Sequence, residues 1–166
     1  MKTFCWKFLS LPLAVIFVAL CLPAPRGEAQ TKALMIAGTW KLNLAKSKFG
    51  SGAPLKSRIL TWGWDGETLT HTADSISSTG ERSFAEFTAK FDGKEYPVFE
   101  NRNYTAPVRH VSMQWIDAYT FEVTNPKSRM TYRHVISRDG KTDTITQKTA
   151  SGKDQPVVDV LVYDKQ

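Results

Sequence analysis

The sequence predicts an all-β protein, a single up-and-down antiparallel β-barrel of about 8–10 strands. Three dipeptides typical of tight hairpin turns recur along it: Asp65-Gly66, Asp92-Gly93 and Asp139-Gly140. Asp and Gly tolerate the positive φ angles of such turns. The intervening runs are rich in Thr, Val, Ile and aromatic residues in apolar–polar alternation, and no stretch has sustained helical periodicity.

Ten strands are expected between the turn signals, which also include Asn125-Pro126 and Ser151-Gly152. Apolar residues on one face and polar residues on the other indicate antiparallel strands with one wetted face. Closing the sheet removes its exposed edges, which favours a barrel over an open sandwich. The expected strands are approximately 37–45, 57–64, 67–74, 81–91, 94–99, 107–116, 119–124, 129–137, 142–149 and 156–164.

The first residues have the pattern of an export signal. Lys2 and Lys7 give a positively charged region before an apolar run, Phe8–Leu22. The 15 residues of this run fall short of the roughly 20 that a membrane-spanning helix needs. Gly27 and Ala29 are small residues at the −3 and −1 positions of a signal-peptidase site. We therefore expect cleavage after Ala29 and an exported protein, either periplasmic or secreted.

The predicted domain organisation is a signal peptide over 1–29 and a barrel over 30–166. Both cysteines, Cys5 and Cys21, lie in the segment to be removed, so the remaining domain has no disulfide and no thiolate metal site. The alternatives are an uncleaved anchor and lipid attachment at Cys21. The remaining 137 of 166 residues suffice for one ordinary domain with a hydrophobic core.

Charge excludes several partner classes. Of the chain's net charge of +6, the first 29 residues carry +2, which leaves +4 for the expected domain. These charges are dispersed, whereas a nucleic-acid-binding surface needs a clustered basic stripe. The polar faces carry Lys, Glu and Thr, unlike the apolar outer face of a membrane barrel. We expect a monomer with no nucleic-acid partner and no membrane span.

The opening of the first strand, Gly38-Thr39-Trp40, resembles the Gly-x-Trp start of the lipocalin and fatty-acid-binding protein superfamily. The expected domain is also similar to small exported bacterial lipocalin-like proteins of unassigned function, through segments 38–43, 46–49, 89–98, 137–141 and 160–166. The resemblance implies a lipocalin-like (calycin-like) barrel in which Gly38 and Trp40 are structural. It further implies that Trp40 plugs the closed end and that Arg133 or Lys165 covers it.

Two departures separate the chain from fatty-acid-binding proteins. Those proteins carry two helices between their first two strands, whereas the segment 46–56 is broken by Gly and Pro. They also carry an Arg-x-Tyr in the last strand, where this chain has Leu161-Val162-Tyr163. The resemblance therefore implies the barrel and leaves its ligand open.

The sequence contains no catalytic constellation that we can identify. Its three histidines, His71, His110 and His134, lie on distant strands without the short spacing of a metal or haem site. We expect them to be independent surface or hydrogen-bonded residues. No nucleophile elbow or phosphate-binding glycine loop is present, so we predict no catalytic residue, no metal, no cofactor and no enzymatic activity.

Aromatic residues are the most informative candidates for function. Most of them fill a core, but a barrel of ten strands has more interior than its side chains occupy, which leaves room for a small apolar ligand. The predicted ligand-binding residues are Trp62, Trp64, Phe87, Tyr132 and, near a polar head, Arg133 or Arg109.

Two functions remain open from the sequence. A carrier of a small hydrophobic molecule would have an interior cavity with a mouth near the 46–56 loop. A protein-binding accessory or inhibitor module would have a solid barrel and an exposed apolar patch on the loops 74–80 or 99–106, where Tyr104 and Pro107 lie.

Overall fold

The computed structural model describes residues 27–50, 54–149 and 157–166. The expected signal segment up to residue 26, with Cys5 and Cys21, and the expected Ser151-Gly152 turn lie outside these residues. Within the described ranges the chain forms one helix, α1 Gly27–Ile36, and ten strands. The strands are β1 Gly38–Leu42, β2 Ser57–Trp64, β3 Leu69–Ile76, β4 Arg82–Ala89, β5 Tyr96–Glu100, β6 Arg109–Trp115, β7 Thr120–Asn125, β8 Met130–Ile136, β9 Thr142–Thr149 and β10 Val157–Lys165.

The ten strands form a closed antiparallel barrel. Each strand pairs with its neighbours along the chain, and β1 pairs with both β2 and β10, so no edge remains. The predicted fold class is confirmed. Each of the three Asp-Gly turns has its glycine at positive φ, with values of 102° at Gly66, 73° at Gly93 and 68° at Gly140.

Helix α1 is an element that the sequence analysis did not predict. The expectation of no helix is wrong here because Ala33, Leu34, Met35 and Ile36 form a consecutive apolar run, which hides any helical period. Ala33 and Ile36 share one buried face, whereas Leu34 is 57% exposed. None of the helices in the described ranges has the length and apolar character needed to cross a membrane.

Trp40 and Lys165 join α1 to the end of the barrel where β1 begins. The fully buried Trp40 donates a hydrogen bond from Nε1 to the Ile36 carbonyl (2.8 Å), and Lys165 donates from Nζ to the Met35 carbonyl (3.0 Å). These bonds satisfy carbonyls that a helix C-terminus leaves unpaired. The ammonium group also lies 5.0 Å from the Trp40 ring centroid. Lys165, and not Arg133, is therefore the basic side chain that covers Trp40.

Gly38 is required by the same arrangement. Its φ of +131° is a conformation that L-residues rarely adopt, and a Cβ built there would lie 2.8 Å from Cε of Lys165. The glycine therefore allows the lysine stem to pass over the start of β1.

The connection after β1 extends the junction between the first and last strands. Lys48 and Val160 exchange backbone hydrogen bonds of 2.7 and 2.8 Å, and Ser47 Oγ accepts from the Val162 amide at 2.9 Å. On the outside, Asn43 and Lys46 both bond to the Asp164 carboxylate, at 2.6 and 3.0 Å. These polar residues therefore close the barrel rather than line its interior.

We expect Trp40→Ala to lower the free energy of unfolding by about 3–5 kcal/mol, because it removes a large buried ring from the junction of α1, β1 and Lys165. Urea unfolding followed by circular dichroism measures the loss. Val158→Ala, at an exposed position of β10, is the control and should change the value by less than about 0.5 kcal/mol. Equal effects of the two substitutions would contradict the assigned role of Trp40.

Candidate ligand-binding cavity

The barrel contains a cavity of about 260 Å³. This volume lies just below the usual range for small-molecule pockets, roughly 300–1,000 Å³. It extends inward from the barrel end where Arg58, Ser75, Ser83 and Arg109 lie near strand termini, as far as Trp62. Strand β2 begins at this end, directly after the 43–56 connection, of which residues 51–53 lie outside the described residues. The expected mouth near the 46–56 loop therefore stays a prediction.

The deep wall of the cavity is aromatic, and strand register builds it. Trp62, His71 and Phe87 are paired directly across β2, β3 and β4. The ring centroids of Trp62 and His71 are 3.9 Å apart, and those of His71 and Phe87 are 5.0 Å apart. Since residues opposite one another share a face of the sheet, three sequence-distant rings form one continuous surface.

The structure places the sequence-predicted residues in two groups. Trp62, Phe87 and Tyr132 line the cavity, whereas Trp64 and Arg133 do not. Trp64 shares the inner face of β2 but lies two residues, about 7 Å, closer to the closed end, where it packs against the core. Arg133 follows the inward Tyr132 in β8, so the strand alternation turns it outward, where it bonds to Glu122 at 2.8 Å.

Two arginines line the cavity. Arg109 pairs with Glu100, and it was the sequence-based alternative to Arg133. Arg58, which the sequence analysis did not select, donates from Nε to Ser75 Oγ at 2.8 Å. Its period-two spacing from Leu60 and Trp62 was a usable signal, because residues i and i+4 of a strand share a face.

Two of the three histidines lie together inside the barrel. His134 and Asp143 are buried, and Nδ1 of the histidine is 2.8 Å from Oδ2 of the carboxylate. Because a carboxylate accepts, this bond keeps a proton on Nδ1. The imidazole stacks on Phe121 with centroids 4.3 Å apart. The expectation of surface or hydrogen-bonded histidines fits His134, which bonds to Asp143. The expected independence is wrong for His71 and His134, because both line one cavity, whereas strand alternation turns His110 away from it.

The interior environment keeps His71 uncharged. Burial is the main cause that lowers its pKa well below the usual 6.5, and the charges of His134 and the two arginines act in the same direction. Nδ1 of His71 is buried and has no hydrogen-bond partner among the residues that the structure describes. The ring therefore presents a neutral surface to the cavity.

The cavity combines a neutral aromatic wall with a few polar groups. Within the parts of the chain that the structure describes, no group of three or more His, Cys, Asp or Glu side chains could hold a metal ion. Arg58 can bind an anion, and the buried hydroxyl of Tyr163 lies close to this arginine, whose charge and hydrogen bond oppose the rise that burial causes in the pKa of the phenol. Such a site can bind an apolar molecule that also carries a polar or charged group.

Comparison with known proteins shows the fold alone. No protein-family model matches the chain, and no curated protein matches it. A solved structure of a Schistosoma mansoni fatty-acid-binding protein in complex with arachidonic acid matches over 81% of this chain and 98% of its own, with a TM-score of 0.53 and 18% identity. A de novo designed fluorescence-activating β-barrel matches over 81% and 96%, with a TM-score of 0.41 and 12% identity.

The buried pair of His134 and Asp143 predicts a strong energetic coupling. Asp143→Ala should destabilise the protein by about 3–5 kcal/mol, because it leaves a polar ring buried without its partner. Adding His134→Phe should recover part of that loss, since no polar partner then remains unsatisfied. Urea unfolding of both single variants and the double variant should give a coupling of about 0.5–3 kcal/mol. Simple additivity would contradict the pairing.

Acid should destabilise the protein partly through His71. Its folded-state pKa lies below the unfolded value of 6.5, so the unfolded chain binds this proton first as the pH falls. Stability from this group is complete above 6.5 and declines below it. Between pH 7.5 and 5.5 the unfolding free energy of His71→Phe should therefore fall by about 1 kcal/mol less than that of the unsubstituted protein. Parallel pH profiles would contradict this assignment.

Proposed function

We propose that this protein is an exported, lipocalin-like binding protein that carries a small hydrophobic ligand inside its barrel, and that it is not an enzyme. The main observation in support of this proposal is the interior cavity, whose deep wall consists of the adjacent rings of Trp62, His71 and Phe87. Apolar cavities with a few polar groups are the usual form of small-molecule sites.

Two further observations support this proposal. The fold is shared with a fatty-acid-binding protein, whose structure is a complex with arachidonic acid. The sequence resembles small exported bacterial lipocalin-like proteins, and its first residues have the pattern of a signal peptide. In this proposal residues 30–166 are the periplasmic or secreted form, a monomer that retains most of α1.

A protein-binding module is the second candidate, and one observation favours it. Tyr104 and Val108, in the connection between β5 and β6, are 58% and 55% exposed. Exposed apolar side chains grouped on one loop are a feature of binding surfaces. This candidate, however, was expected to have a solid barrel, and the cavity supports the carrier instead.

We expect Ala73→Phe to abolish ligand binding, because Ala73 lines the cavity and an added phenyl ring would occupy it. The probe is naphthalene-2-carboxamide, an uncharged compact aromatic molecule, and quenching of tryptophan fluorescence measures its binding to residues 30–166. The matched control is Thr61→Phe, which adds the same ring at an exposed position of β2.

Saturable binding that Ala73→Phe abolishes and Thr61→Phe preserves is the expected result. Equal binding by both variants would place the ligand outside the cavity. If neither naphthalene-2-carboxamide nor naphthalene-2-carboxylate binds to the unsubstituted protein, the carrier function is contradicted. Partners of the 101–108 connection would then be the next target.

A further inference from the structure

We propose that Nε2 of His134 is a hydrogen-bond acceptor at the cavity wall, and that it selects a compact aromatic ligand with a neutral hydroxyl group, such as a phenol or a naphthol. This inference rests on the proposed function and names the chemical class of the ligand. The ligand hydroxyl would donate to His134, and the aromatic body would lie along the rings of Trp62 and Phe87.

Strand register places the imidazole between a carboxylate and the cavity. His134 of β8 is opposite Ile145 of β9, and Asp143 lies two residues before Ile145, one inward position nearer to the closed end. The carboxylate therefore reaches the ring from the direction of the closed end. The cavity lining includes His134 but not Asp143, so one side of the pair lies in the core and the other faces the interior space.

The bond to Asp143 decides which ring nitrogen carries the proton. A carboxylate only accepts hydrogen bonds, so the contact of 2.8 Å between its Oδ2 and Nδ1 of His134 requires a proton on Nδ1. In the neutral imidazole the other nitrogen, Nε2, then keeps its lone pair. The aspartate of a catalytic triad fixes its histidine in the same tautomer, in which Nε2 accepts a hydrogen bond from a hydroxyl group.

Nε2 of His134 has no partner among the residues that the structure describes. The side chain is 4% exposed, and its hydrogen bond within those residues is the one from Nδ1 to Asp143. Some buried atoms without a partner are sealed from any space, among them Oδ1 of Asp143, but Nε2 of His134 is not one of them. The cavity therefore reaches this nitrogen. An acceptor withdrawn from water costs free energy until a donor meets it, and a ligand hydroxyl is such a donor.

The rings around His134 fix its orientation and favour an aromatic ligand. Phe121 stacks on the imidazole with centroids 4.3 Å apart, and Trp62 lies 5.7 Å away at an interplanar angle of 81°. Since these contacts hold the imidazole, the direction of its lone pair is also held. Phe87 packs edge-to-face against Trp62, with centroids 6.0 Å apart, and planar rings pack well against such a surface.

A compact neutral hydroxyl compound suits this position better than other ligand classes. A carboxylate has no proton to donate to Nε2, and the guanidinium groups of Arg58 and Arg109 at the open end oppose the entry of an ammonium group. The volume of about 260 Å³ is small for a long chain folded among side chains. A phenol combines a planar body with one neutral donor.

The test compares 2-naphthol with 2-methylnaphthalene, which match in shape and differ by a hydroxyl in place of a methyl group. Titration calorimetry at pH 7.5 on residues 30–166 gives the ratio of their dissociation constants. The variant combines His134→Phe with Asp143→Leu, which replaces both partners by apolar side chains and leaves neither buried without the other. Because water solvates 2-naphthol better, the affinity for 2-naphthol relative to 2-methylnaphthalene should fall about tenfold in this variant.

Two further measurements distinguish a hydrogen bond from a structural effect. His110→Phe makes the same replacement at a histidine that strand alternation turns away from the cavity, and it should keep the ratio. Nitrogen-15 spectra of the unsubstituted protein should show His134 with a protonated Nδ1 and an unprotonated Nε2, whether or not the double variant folds. The Nε2 resonance should shift on binding of 2-naphthol and much less on binding of 2-methylnaphthalene. Circular dichroism verifies the fold of each variant.

The outcomes separate this inference from the proposed function. An unchanged ratio in the folded double variant would overturn the hydroxyl subsite and leave the carrier function intact. A protonated Nε2 in the free protein, or an Nε2 resonance that responds equally to both probes, would overturn the subsite in the same way. If neither probe binds to the unsubstituted protein, both proposals are contradicted.

Discussion

The antiparallel pairing of β1 with β10 is the interaction on which the rest of the structure depends. It turns a meander with two exposed edges into a barrel with an inside. The junction is short, with three paired positions between the strands, and is reinforced beyond them by Lys48 and Val160. Helix α1 completes this junction, because Trp40 and Lys165 donate hydrogen bonds to its last carbonyls and the Lys165 ammonium group covers the Trp40 ring.

Closure also determines what the cavity contains. With β1 between β2 and β10, Arg58 and Tyr163 become neighbours although 105 residues separate them in the chain. The interior consequently holds polar groups beside its apolar and aromatic side chains. A buried polar atom without a partner among the described residues, such as Nδ1 of His71, costs free energy, and sites that bind ligands commonly tolerate that cost.

Residues whose role depends on strand alternation were largely predictable. Trp62, Phe87 and Tyr132 line the cavity because each occupies an inward position of its strand. The same rule excludes Arg133, the immediate neighbour of Tyr132, and would have indicated Arg58 had the alternation been followed from Trp62 to the start of β2. Helix α1 was missed because its consecutive apolar residues carry no period.

The sequence by itself determined the all-β class, the ten strands and the positive-φ turns, because alternation and Asp-Gly dipeptides are local properties that neighbouring residues impose. The tertiary structure alone decided which inward residues meet. The row of Trp62, His71 and Phe87, the bond between His134 and Asp143, and the proximity of Arg58 to Tyr163 all follow from inter-strand register and barrel closure. A shift of one residue in register would reverse the face of every side chain, and local sequence does not encode which strand residues lie opposite each other.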